Sequence, residues 1–305
     1  MKHLFIINPI AGKGKSLDYI PVIEKYFSDN SSDYFIEVTK YPGHATELVR
    51  EYVSKDNFRV YSVGGDGTLN EVLNGIAGSN SSLAIMPAGS GNDFVKSLEN
   101  YKKYTRGGKK LPEPSIPFLD SLVHGNEITI DIGKVNGRYF LNISSVGFDA
   151  EVVYKSYKIK KLPLITGLTA YILSVLATLA SYKNNHLEIN IDGKTIKAGT
   201  LLVAVANGRY YGGGMQVVPS SRLDDGFLDI CLIEYVGRSK IIKFFSRFVK
   251  GTHGTIKEVS FHKAKKVSII SKNSIAMNID GEASMISGKI DFEIIPGGIK
   301  VVLPR

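Results

Sequence analysis

The chain has 305 residues, 43% hydrophobic and 22% charged, which fits a soluble globular protein of about two domains. Its single cysteine, Cys231, excludes an intramolecular disulfide and suits a cytoplasmic setting, and its six histidines show no metal-ligand spacing. The net charge of +9 favours polyanionic partners; with no nucleic-acid motif of defined spacing, nucleotides and anionic membrane surfaces remain.

In chain order, Lys2 to Ile7 reads as the first strand, and its apolar run is too short for a signal-peptide core. The turn Asn8-Pro9-Ile10-Ala11-Gly12-Lys13-Gly14-Lys15-Ser16 ends like a P-loop. That motif needs a glycine five positions before Gly14, where this chain has Pro9, so it is rejected. Lys13 and Lys15 are either phosphate contacts or solvated loop lysines. A helix follows with Leu17, Ile20, Ile23 and Phe27 directed inward, then a strand from Phe35 to Val38 ending at Thr39. Ala45, Leu48, Val49, Tyr52 and Val53 mark the next helix.

The most informative stretch runs from Val60 to Phe94. A buried strand stops at Gly64-Gly65-Asp66-Gly67-Thr68, after which Leu69, Val72, Leu73 and Ile76 recur at helical spacing. A second strand, Leu83 to Met86, stops at Gly89-Ser90-Gly91-Asn92-Asp93. Glycine turns between a strand and a helix let backbone N–H groups and the helix dipole face an anion. Two such turns, each with an aspartate, point to phosphate with a metal ion; the plainer alternative is two tight connections. Alternating strands and helices predict a parallel sheet covered on both faces, with ligands at the carboxyl ends of its strands.

From Asn100 to Pro117 the chain is basic and rich in glycine and proline, an exposed loop or linker. Beyond about Glu127 the pattern is mainly β. Ile128 to Val135 and Tyr139 to Ile143 flank Asn136-Gly137, and Ile189 to Ile191 and Thr195-Ile196 flank Asp192-Gly193, both hairpin signals. Further strands are read at Leu201 to Ala206, Phe227 to Ile233, Val267 to Ile270, Ala276 to Ile279 and Phe292 to Ile295, with Cys231 as inert core. Leu162 to Ala180 is uncharged but diluted by polar residues. It is read as a helix packed on the second domain rather than a membrane span. Lys155, Lys158, Lys160 and Lys161 before it either attract anionic lipid or form a solvated face.

Gly64-Gly65-Asp66-Gly67-Thr68-Leu69-Asn70-Glu71-Val72 resembles the signature of the diacylglycerol kinase catalytic family, which includes bacterial lipid kinases and sphingosine kinases; the GGDGT core also occurs in NAD kinases. The resemblance extends in order through Asn8-Pro9 with Ala11-Gly12, Gly89-Ser90-Gly91-Asn92-Asp93-Phe94 and Asn207-Gly208-Arg209 with Gly212-Gly213-Gly214. It continues through Leu223-Asp224-Asp225-Gly226 to Asp280-Gly281-Glu282, and so covers nearly the whole chain. It implies an α/β fold: a three-layer α/β/α nucleotide-binding domain (1–125), then a mainly antiparallel β lipid-substrate domain (126–305), with the last residues free to return to the first.

Site residues follow from the same resemblance. Asn8, Pro9, Ile10, Ala11, Gly12, Thr39, Gly65, Asp66, Gly67, Thr68, Leu69, Asn70, Glu71 and Ser90 are implied nucleotide contacts; many relatives carry threonine at the position of Ser90. Asp66 is implied to hold the catalytic Mg²⁺, its alternative being a cap for the following helix. Asp93, which could hold a second water or a lysine, and Asp131 are implied to join that network. Glu282 is the implied general base, with Asp280 its acidic neighbour, the alternative being a hairpin turn. Asp225 and the carbonyls of Arg222 and Phe227 are an implied structural Mg²⁺ set; without the resemblance they read as an ordinary turn.

The expected activity is therefore an ATP-dependent lipid kinase converting diacylglycerol to phosphatidate, in peripheral contact with anionic membrane. Nucleic acid is not an expected partner, and a homodimer is left open. The rivals are a kinase of another lipid (sphingoid base, phosphatidylglycerol, polyprenol), an NAD kinase, and a non-catalytic nucleotide- or membrane-binding module.

Overall fold

Short runs of β-branched and aromatic residues alternate with helical repeats in the first 130 residues, and the computed structural model turns them into a parallel sheet flanked by helices. The structure describes residues 1–28, 32–98, 101, 112–159 and 167–305. The chain divides into two units, Met1–Ile132 with Ile295–Arg305, and Gly133–Ile294.

In the first unit the strands are β1 (Lys2–Ile7), β2 (Tyr34–Val38), β3 (Phe58–Gly64) and β4 (Ser82–Pro87). They lie parallel in the order β4-β3-β1-β2, and Lys300 and Val301 near the chain end pair parallel to Ser82 and Leu83. β3 and β4 are buried along their whole length, as expected of central parallel strands. The helices are α1 (Tyr19–Ser28), α2 (His44–Val53), α3 (Asp66–Ile76) and α4 (Ile116–Val123). The inward stripe of α1 is Tyr19, Ile23 and Phe27; Leu17, expected to face inward, lies before the helix and is 39% exposed. Most of the basic stretch after Asn100, and Lys160 and Lys161, lie outside the described residues. β5 (Asn126–Val135) closes the unit and reaches the boundary.

The second unit contains β6 (Arg138–Phe140), β7 (Ile143–Gly147), β8 (Asn185–Ile191), β9 (Lys194–Ala206), two short strands β10 (Tyr210–Tyr211) and β11 (Met215–Gln216), β12 (Leu228–Glu234), β13 (Val259–Ala264), β14 (Lys266–Ile279) and the first part of β15 (Glu282–Leu303). Its pairings are antiparallel, in the order β13-β12-β9-β7-β14-β15, with β8 paired to β14 and β9. Alternation sorts the side chains onto two faces: Val203 and Val205 pack in one core with Ile230, while Leu202, Ala204 and Ala206 pack in another with Cys231. Three Xaa-Gly turns, Asn136-Gly137, Asp192-Gly193 and Asp280-Gly281, have positive φ at both residues and close tight hairpins with right-handed twist. The helices are α5 (Phe148–Ile159), α6 (Gly167–Ser181) and α7 (Arg238–Val249). Among the described residues no helix is long and apolar enough to cross a membrane.

Candidate active site

The strand order of the first unit reverses between β1 and β3, so the turns leaving those strands open a crevice at the sheet's carboxyl edge. A hydrogen bond spans the two turns: Asn8 Nδ2 donates to Thr68 Oγ1 at 2.9 Å. Asn8 Oδ1 accepts from the Ile10 N–H, and the Ile10 side chain is 81% exposed at the tip of the turn. Gly12, with φ +60°, passes so close to the β4 turn that a Cβ would stand 2.4 Å from the Ala88 carbonyl oxygen. Thr39 is tied to the same edge through its N–H, which donates to the Ile7 carbonyl.

The two glycine turns meet backbone to backbone. A Cβ on Gly89 would lie 2.4 Å from the Gly65 Cα, and the Ala88 and Gly89 N–H groups both donate to the Gly64 carbonyl. Only glycine permits this approach. The residue capping α3 is Gly65; the Asp66 carboxylate turns instead to the second loop, where Oδ1 accepts the Asp93 N–H at 2.8 Å. Asp66 Oδ2 and Asp93 Oδ2 lie 2.7 and 3.9 Å from the point a Gly91 Cβ would occupy. Asp93 also pairs with Lys96 Nζ at 2.6 Å, the lysine partner anticipated for it. Two carboxylates bordering space kept clear by a glycine form an all-oxygen donor set that fits a hydrated Mg²⁺. Such an ion is commonly held by one or two carboxylates plus substrate phosphates rather than by a protein cage. Among the described residues no cluster of three or more His, Cys, Asp or Glu forms such a cage.

The other expected contacts are distributed unevenly. Ser90 is exposed at the rim of its loop, whereas Leu69 and Asn70 are buried in α3. Glu71 Oε2 accepts the Ala45 N–H, so this carboxylate ties α3 to the first turn of α2. Asp131 is buried, and its Oδ1 accepts the Gly297 N–H at 2.8 Å.

In the second unit, Asp280 occupies a left-handed turn position with φ +46°. Its carboxylate accepts three backbone N–H groups, those of Leu141, Asn142 and Ile143, at 2.8, 3.0 and 3.1 Å. The Asn207-Gly208-Arg209 motif grips the same segment: Asn207 Nδ2 donates to the Leu141 carbonyl, and the Asn207 and Gly208 N–H groups donate to that of Asn142. This grip breaks the single strand expected from Tyr139 to Ile143 into β6 and β7. Glu282, the first residue of β15, stays 43% exposed and pairs with Arg138 at 2.7 Å. Tyr157 donates its hydroxyl to the Gly281 carbonyl; burial, then the nearby Glu282 charge, raises its pKa.

The sequence did not single out Arg138, Tyr157 or Asp149. Ser145 donates to Asp149 Oδ2, and burial, opposed by hydrogen bonds from Ser145, the Ala150 N–H and Tyr211, raises the Asp149 pKa to about 6. The Asn-Gly turn that aims Arg138 at β15 was a readable signal; the placement of Asp149 depends on packing. Around Asp225, Lys263 Nζ bonds one carboxylate oxygen, the Phe227 N–H donates to the other, and Lys263 also reaches Asp229 at 3.4 Å. Lys263 therefore supplies positive charge beside the carboxylate to which the resemblance assigned Mg²⁺. Arg222 pairs with Asp224 at 3.1 Å.

Residues 2–135 match the model of the diacylglycerol kinase catalytic domain, and residues 142–303 match that of the YegS C-terminal NAD kinase beta sandwich-like domain. A Staphylococcus aureus (strain RF122 / ET3-1) diacylglycerol kinase is 31% identical over 284 residues, covering 91% of this chain and 84% of its own.

The chain belongs to the diacylglycerol kinase family.

A Bacillus subtilis (strain 168) diacylglycerol kinase is similar over 310 residues, at 29% identity with 100% of this chain and 97% of the relative covered. A solved Bacillus anthracis str. Sterne structure, described as that of a "putative diacylglycerol kinase", superposes with a TM-score of 0.73 at 27% identity, over 100% of this chain and 97% of that one. Family membership supports a kinase, and the glycine turns around Asp66 are the part of the first unit suited to phosphate.

Proposed function

We propose that the protein is an ATP-dependent lipid kinase that transfers the γ-phosphoryl group to the free hydroxyl of diacylglycerol, giving phosphatidate and ADP. The observation carrying this reading is the pair of glycine turns packed around the Asp66 and Asp93 carboxylates, the first of which borders the strand-order reversal. The backbone N–H groups at the start of α3 bind and orient the phosphates. The Asn8–Thr68 hydrogen bond fixes the spacing of the turns after β1 and β3. A Mg²⁺ held by Asp66 and Asp93 supplies charge neutralisation on the phosphates when bound. Glu282 takes the proton of the acceptor hydroxyl as its oxygen bonds to the γ-phosphorus and the bond from that phosphorus to the β–γ bridging oxygen breaks. Arg138, paired with the Glu282 carboxylate, orients it towards the acceptor.

The test is a labelling reaction with γ-labelled ATP and Mg²⁺. Diacylglycerol, a sphingoid base, phosphatidylglycerol, a polyprenol and NAD are offered separately in detergent micelles. Label in phosphatidate is the expected result. Label confined to another lipid keeps the kinase and changes the acceptor; label in NAD alone, or none, overturns the reading.

A further inference from the structure

Helix α7, Arg-Ser-Lys-Ile-Ile-Lys-Phe-Phe-Ser-Arg-Phe-Val, is amphipathic in an unusual way. Ile241 and Phe248 pack against the core of the second unit, and the Phe248 ring meets His253 at 4.6 Å between centroids. A second apolar stripe, Ile242, Phe245 and Val249, follows the 3–4 spacing of one helix face and stays in solvent at 64, 39 and 38% exposure. The helix buries no residue completely. Between Arg238 and Lys250 stand five basic side chains and no acidic one. Arg238, Lys243, Arg247 and Lys250 are exposed, while Lys240 pairs with Glu258.

We infer that α7 is a membrane-docking helix. Its Ile242–Phe245–Val249 stripe enters an anionic bilayer interface, and its basic residues meet the lipid phosphates. An exposed apolar stripe bordered by Lys and Arg is the arrangement that lies in the plane of a membrane interface. Each basic residue held near an anionic leaflet adds to the attraction. Charge also selects against the other natural occupant, a second copy of this chain, because two such helices would bring like charges together. The basic cluster before α6 is a weaker candidate: Lys155 is neutralised by Glu151 at 2.7 Å, and the Lys158 ammonium lies over the Tyr154 ring. The choice of a lipid partner rests on the proposed lipid substrate, which resides in a bilayer.

The inference is tested by sedimentation with vesicles of phosphatidylglycerol and phosphatidylcholine, and with pure phosphatidylcholine vesicles. The intact chain should sediment with the mixed vesicles only, and less as salt rises. Ile242→Glu/Phe245→Glu should lower binding by on the order of tenfold or more. Lys243→Gln should cost roughly fivefold. Lys155→Gln/Lys158→Gln should bind like the parent. The exposed substitutions should leave the folded circular-dichroism spectrum and phosphorylation of micellar diacylglycerol unchanged. Equal binding by the α7 variant overturns the inference. So does a parent dimer that this variant dissociates in sedimentation velocity. Absence of vesicle binding with intact micellar kinase activity removes the docking helix and leaves the kinase standing. Vesicle binding through α7 without any lipid phosphorylation does the reverse.

Discussion

The dipeptide Asp-Gly occurs at a candidate site in each unit, and the two units use it in opposite ways. In Asp66-Gly67 the carboxylate accepts the backbone N–H of Asp93 from the neighbouring turn, and its second oxygen borders space kept clear by Gly91. In Asp280-Gly281 the carboxylate accepts three backbone N–H groups and fastens the segment from Leu141 to Ile143 to a hairpin turn. Beside it Glu282 remains solvent-accessible, held by one arginine. A carboxylate surrounded by backbone donors stabilises the fold, because removing it leaves those donors without a partner. One whose oxygen borders glycine-cleared space, as Asp66 Oδ2 does beside Gly91, is placed where a cation can approach. Under the proposed function, the first unit has its chemical group in the Asp-Gly itself, whereas the second has it in the residue that follows, at the start of β15.

The widest gap between the two turns should appear on substituting Asp66. Asp66→Asn retains an oxygen for the Asp93 N–H but removes the charge that would hold Mg²⁺. Turnover should fall by about 10³-fold or more, several kcal/mol of transition-state stabilisation, while the melting temperature stays within a few degrees. Near-normal turnover would reduce Asp66 to a loop fastener and erase the contrast with Asp280.

Glu282→Gln should come next, with kcat lower by about 10²–10⁴-fold, the range expected of a general base, and little change in KM for ATP. Repeating the assay over a Mg²⁺ titration separates proton transfer from metal binding, since rescue by excess metal would make Glu282 a ligand. Full activity would remove it from the mechanism. Asp280→Ala should act on stability instead. Losing the acceptor of three N–H groups should cost at least about 2 kcal/mol and lower the melting temperature by several degrees. Activity per folded molecule should stay near normal at low temperature; a stable but inactive variant would move Asp280 into the chemistry.

Legibility from sequence followed the range of the interactions. Strand β3, the glycine turns and the Xaa-Gly hairpins were readable because local periodicity and backbone conformation dictate them. The resemblance also pointed to Asp66 and Glu282. The role of Asp280 was not readable, since its donors lie about 140 residues earlier and an Asp-Gly pattern carries no trace of them. Arg138 and Lys263 were hidden for the same reason, Arg138 meeting Glu282 across a separation of 144 residues and Lys263 meeting Asp225 across 38. The stretch that forms α7 was not singled out, although its apolar and basic residues already segregate at helical spacing.

The last contrast is in acid, and it distinguishes the units by sign. His3, buried in the first unit, has its pKa lowered from 6.5 to about 4 by burial and then by the Arg59 charge. The unfolded chain therefore takes up this proton first, and the stability His3 contributes is full above pH 6.5 and lost as pH falls towards 4. Asp149, in the second unit, has its pKa raised from 3.8 to about 6 by burial. The folded chain keeps this proton longer, so its contribution is full below pH 3.8 and lost as pH rises through 6. Between pH 4 and 6 the two slopes oppose, which leaves the intact chain with a shallow dependence from this pair. Asp149→Asn retains an acceptor for Ser145 and removes one slope. The variant's melting temperature relative to the parent should rise steadily from pH 4 to 6 and level off above it, read by calorimetry in one buffer series. If scanning resolves two transitions, the change should be confined to the one that melts the second unit. A difference between variant and parent that is flat across this window would mean that Asp149 ionises in the folded chain as readily as in the unfolded one.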